Sequence, residues 1–197
     1  MRQRLLFLLL LLFFSVSLSP PPSEAAGPWK AQVIDAETDK PLEGVVVLAA
    51  WYKAYASVGG WAGGEYYDSE EVVTGPDGRF GIQSRWTFTL NPFSTIKGPD
   101  FYIFKSGYGR WRFQGDLSSL KLDLREQEAR GRKLWEQFEG EGVVIELPRL
   151  KTREERLQFL REAPSPLRVP PSRMPKYRDA INQEAVSLGL QSYRKEP

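Results

Sequence analysis

The chain has 197 residues, 41% of them hydrophobic, enough for one globular core with extensions, and a formal net charge of only +2. That charge excludes a whole-molecule polyanion binder. The absence of cysteine and histidine excludes disulfides, thiol and Ser-His nucleophiles, thiolate zinc sites and lipid attachment through an N-terminal cysteine.

Residues 1–26 read as a secretory signal. Arg2 and Arg4 precede the apolar run Leu5 to Phe14, and small residues around Ala25 suit a cleavage site. The run is short against the roughly 20 residues a spanning helix needs. Export to the periplasm or the outside is therefore expected, with membrane contact only through an uncleaved segment.

Lys30 to Val47 reads as an opening hairpin. Val33 and Ile34 sit in its first strand, Asp35 to Pro41 form its turn, and Gly44 leads into the valines of its second strand. Residues 44–52 are apolar on both faces, as in a central strand. Lys53 to Tyr67, rich in glycine and aromatics, fits no apolar period and reads as a long loop. Glu70 to Thr74, the Gly75-Pro76-Asp77-Gly78 turn and Arg79 to Gln83 read as a second hairpin.

Trp86 to Leu90 suggests a strand, Phe101 to Lys105 states one clearly, and Trp111 and Phe113 continue the sheet. Leu120, Leu122 and Leu124 alternate as in a short strand. Glu126 to Gly140 is helical in composition, with Leu134, Trp135 and Phe138 as its buried side, and residues 143–147 form the last strand. Thr152 and Glu155 make a capping box before another helix. Prolines at 164, 166, 170, 171 and 175 then give a connector to a final helix over 177–188.

Four stretches carry a family likeness: Val33-Ile34-Asp35; Lys40 to Val45; Val73 to Phe80; and Phe104-Lys105-Ser106-Gly107-Tyr108. In this order they resemble the carboxypeptidase regulatory-like domain over about residues 29–113. The resemblance implies a mainly β fold, a seven-stranded transthyretin-like or Ig-like β-sandwich. It also implies a non-catalytic spacing or binding role, with no catalytic residues to carry over. The organisation expected is a signal over 1–26, the sandwich over 27–115, a helix and final strand over 116–148, and a basic helical tail over 149–197.

The candidate binding residues are the aromatics beside the glycines: Trp51, Tyr52, Tyr55, Trp61, Tyr66 and Tyr67. Flat aromatic faces stack on sugar rings or on a partner's side chains. The competing account has Trp51 and Tyr52 completing the core strand while the others cover an edge. Asp68, Glu70 and Glu71 offer oxygens to a cation, but acids beginning an exposed strand more often form a solvated face. No metal, cofactor or catalytic residue is expected.

The tail from Pro148 carries 11 Lys and Arg against 6 Asp and Glu, while residues 26–147 are net acidic. Docking of the tail on its own sandwich is the simplest use of that asymmetry, and no nucleic-acid partner is expected. The function expected is a non-enzymatic module binding an envelope protein. A carbohydrate-binding module using residues 51–67 is the alternative, and a carboxylate hydrolase is the remote third.

Overall fold

A computed structural model describes residues 27–191 except 88, 92, 116–122, 163 and 164. The expected signal segment, Leu120, Leu122 and Pro164 lie outside the described residues. The fold is mainly β. Its strands are β1 (Trp29–Asp35), β2 (Val46–Ser57), β3 (Gly60–Val73), β4 (Arg79–Ile82), β5 (Ser94–Phe104), β6 (Arg112–Phe113) and β7 (Val143–Leu147). Its helices are α1 (Leu124–Phe138), α2 (Arg153–Glu162) and α3 (Pro175–Ser187), with a 3-10 turn at Pro171–Arg173.

The strands form two sheets, ordered β4-β1-β7-β6 and β3-β2-β5. Both contribute to one core. Ala31 and Val33 of β1, Phe80 and Ile82 of β4, and Ile145 and Leu147 of β7 meet Val47, Ala49 and Trp51 of β2 and Ile103 of β5. This arrangement is consistent with a β-sandwich. Helix α1 closes the core with Phe138, fully buried against Phe80, Phe101 and Phe113. Leu124, expected in a strand, begins this helix, because the Asp123 carboxylate accepts the Arg125 N–H and caps it.

Two expected pairings are corrected. β1 and β2 do not form a hairpin, and neither do β3 and β4. β1 pairs antiparallel with β4 and parallel with β7, while β2 lies in the other sheet between β3 and β5. Both turns cross between sheets, and buried Thr74 ties them together. Its hydroxyl donates to the Leu42 carbonyl (2.6 Å) and accepts the Val45 N–H (2.9 Å). Gly78 holds φ +72° while its carbonyl accepts the Val33 N–H, and a Cβ there would lie 2.5 Å from the Val33 oxygen. Only glycine fits.

Asp35 closes the same end of the core. Its side chain is buried and accepts from the Glu37 and Thr38 N–H groups, the Tyr108 hydroxyl (3.0 Å) and Arg149. Burial alone would raise its pKa. The donors, Arg149 foremost, outweigh that and hold it at about 2.

The third correction is the glycine-rich loop. β2 and β3 run on as a long hairpin turning at Val58 and Gly59, with register shifts at Trp51/Tyr52 and Lys53/Ala54. The glycines serve bulges and a close approach rather than a loop. Gly64 in particular holds φ +145°, and a Cβ there would collide with the Arg168 guanidinium.

The described residues of 86–90 belong to no strand, and Trp86 and Leu90 are exposed. β5 instead begins after it, at Ser94.

The tail covers the outer face of β3-β2-β5. Val46, Leu48 and Phe104 pack under Tyr177, Phe159 and Ile181, while Ala50 and Tyr52 pack under Val169. The expected capping box forms: the Thr152 hydroxyl accepts the Glu155 N–H (3.1 Å) and the Glu155 carboxylate accepts the Thr152 N–H (3.0 Å). Buried Glu184 of α3 accepts both Arg156 guanidinium bonds (2.7 and 2.6 Å) and the Ser106 hydroxyl, fastening α2, α3 and the turn after β5 together.

Candidate functional site

The aromatic candidates do not form one platform. Successive strand residues face opposite ways. Trp51 therefore enters the inter-sheet core, where Trp29 meets it edge-on at 5.9 Å and Arg85 covers its ring. Tyr52 faces outward beneath the tail, its hydroxyl 3.3 Å from that of Tyr102. Burial, then the Tyr102 contact, pushes its pKa up. Trp51 and Tyr52 are 2% and 8% exposed, so neither offers a face to a ligand.

Tyr55 is half-buried. Its hydroxyl donates to Glu65 (2.6 Å), Lys53 lies 5.3 Å from its ring centroid, and Gly63 leaves room for the ring. The Glu65 hydrogen bond raises its pKa. Tyr66 packs against Ala50, Tyr52 and Val169, with its hydroxyl 3.0 Å from Ser69. Tyr67 is exposed. The backbone of Trp61 pairs with Ala56, and its side chain lies outside the described residues.

The acidic run is occupied by the protein itself. Asp68 holds Arg85 and approaches Arg173 (3.8 Å), and Glu70 holds Arg85 (3.1 Å). The Glu71 carboxylate accepts the N–H groups of Lys176 (3.1 Å) and Tyr177 (2.7 Å), capping α3 from a neighbouring strand. Helix α3 has no side-chain cap of its own at Met174, so this contact satisfies donors that would otherwise be open. Among the described residues no cluster of three or more His, Cys, Asp or Glu is placed to hold a metal ion.

What the hairpin end does present is apolar. Val58 at its turn is fully exposed, as are most of Leu90 and Phe93. The Ala56 N–H donates to the Phe93 carbonyl (2.8 Å), which sets Phe93 beside the hairpin turn. The Asn91 side chain accepts the Phe93 N–H, and the Thr89 and Ser94 hydroxyls meet at 2.7 Å, which draws Thr89 and Asn91 against Phe93 and Ser94. Trp86, 78% exposed, lies on the same segment. Sequence reasoning missed these residues because apolar side chains without a period resemble a weak strand. The usable signal was the large apolar residues Leu90 and Phe93 set on either side of the Asn91-Pro92 breaker.

No family model, curated protein or solved structure matches this chain.

Proposed function

We propose that the chain is an exported, non-catalytic β-sandwich module of the carboxypeptidase regulatory-like type that holds a protein partner in the cell envelope. The observation that carries the reading is the apolar end formed by Val58, Leu90 and Phe93. Large apolar side chains gathered at one exposed place mark an interaction surface. The family likeness draws support from its own motif residues, which bond to one another: Asp35 to Tyr108, and Thr74 to Leu42 and Val45. Export rests on the signal-like segment over 1–26, whose Arg2, Arg4 and apolar run have the composition of a secretory leader.

The test is a crosslinking pull-down from the envelope fraction with the wild-type protein and a Leu90→Ser/Phe93→Ser variant. One specific envelope protein captured by the first and lost by the second is expected. Equal capture by both removes the apolar end from the proposal. A carbohydrate reading keeps one specific support, the exposed ring of Trp86. It predicts quenching of tryptophan fluorescence by envelope polysaccharide that disappears in Trp86→Ala.

A further inference from the structure

We infer that the open edge of β5 over Phe101–Phe104 is a strand-addition site for an extended peptide bearing an apolar side chain and a carboxylate. β5 is the outer strand of β3-β2-β5, and among the described residues no strand pairs with its far side. In an antiparallel pair every second residue turns its N–H and C=O away from the partner. About half the peptide groups of this stretch therefore point outward.

Edge strands are ordinarily protected by charge, proline or distortion. β5 carries such protection only in its first half, as Lys97, Gly98, Pro99 and Asp100. Its second half is Phe-Tyr-Ile-Phe, without a charge or a proline.

A cavity of about 270 Å³ lies along that unprotected half, lined by Phe101–Phe104, Trp111, Phe159 and Tyr177, with Arg110 among its walls. Trp111 stands against Phe113 and Trp135 on the core side, and Phe159 and Tyr177 belong to the tail. The tail thus walls the edge without pairing with it.

Three features select the occupant. Pockets for drug-sized ligands span roughly 300–1,000 Å³, so this smaller cavity suits a side chain better than a whole small molecule. The adjoining peptide groups call for main-chain donors and acceptors, which an added strand supplies in register. Arg110 is exposed and has no hydrogen-bond or ion-pair partner among the described residues, unlike Arg112, which Glu146 holds at 3.0 Å. A carboxylate on the added segment completes that charge.

This site is separate from the apolar end at Leu90 and Phe93, so the two stand or fall independently. The probe is an array of ten-residue peptides of alternating apolar and polar residues. Each carries either Glu or Lys, and a matched set is N-methylated at alternate amides. The purified protein should bind acidic members of the unmethylated set. N-methylation on the bonding side should weaken binding by at least about tenfold, the loss of a pair of net hydrogen bonds.

Arg110→Glu should move the preference from Glu-bearing to Lys-bearing peptides, a gain that a misfolded variant would not show. Leu90→Ser/Phe93→Ser should bind as wild type does. Hydrogen exchange should show new protection within Phe101–Phe104 on binding. An array with no binders overturns the inference, and so does binding indifferent to N-methylation or to Arg110→Glu. A dimer joined through β5 in the free protein would do the same, giving the edge to a second copy.

Discussion

Replacing Asp35 by Asn tests the account of the core's closed end most directly. The folded carboxylate titrates at about 2 against an ordinary 3.8, so its charged form is favoured by folding. That difference amounts to roughly 2 kcal/mol. The depressed pKa means the unfolded chain binds the extra proton between about pH 4 and pH 2. The stabilisation is therefore complete above about pH 4 and is lost as the pH falls toward 2.

Asn keeps the size but turns an N–H₂ toward Arg149 or Tyr108, both of which donate to the carboxylate. Arg149 is 53% exposed and rehydrates when released, so it adds little beyond the charge term. Urea unfolding of wild type and Asp35→Asn across this range gives the comparison. Subtracting one from the other cancels other acids, including Glu184, whose pKa is lowered by its Arg156 and Ser106 partners despite burial. The wild-type advantage should shrink by about 2 kcal/mol between pH 5 and pH 2. A difference that stays constant refutes the reasoning.

Gly78→Ala forces a left-handed residue and a collision with the Val33 carbonyl, so denaturation should show a loss above about 2 kcal/mol. Gly107→Ala, equally left-handed at φ +79° but facing open space, should lose only about 1 kcal/mol. Glu71→Gln should cost about 1 kcal/mol and speed hydrogen exchange at the start of α3, leaving β1 unchanged. Arg156→Met leaves Glu184 buried with Ser106 as its remaining side-chain donor, a loss of about 3 kcal/mol at neutral pH. Burial then raises the Glu184 pKa above its unfolded value, so this deficit should diminish as the pH falls toward 4.

Local chemistry was legible in the sequence. The capping box at Thr152 and Glu155 and the apolar runs of β5 and β7 are decided by neighbouring residues, and the structure contains each of them. Pairing was not legible, because alternation reports that a segment is a strand and says nothing of its partner. The turns after Asp35 and Val73 therefore looked like hairpins although both cross between sheets. Gly63 and Gly64 looked like a loop for a related reason. The lack of a side chain suits a mobile turn and a tight contact equally, and the contact here is Arg168, more than a hundred residues onward.

The candidate site was obscured by the same distance along the chain. Residues 44–52 are apolar on both strand faces, which requires cover on both sides. One cover is the facing sheet, over Val47 and Trp51, and the other is the tail, over Val46, Leu48 and Tyr52. Tyr52 could therefore be available to a ligand only if the tail were elsewhere. The tail's basic excess follows from the same docking. Arg149 is held by Asp35, Lys151 by Glu37, Arg156 by Glu184 and Arg173 by Asp68, while Arg153 and Arg168 donate to the carbonyls of Leu188 and Gly63. Arg149, Lys151, Arg168 and Arg173 thus fasten the outer layer to the sandwich, while Arg153 and Arg156 tie α2 to α3 within that layer.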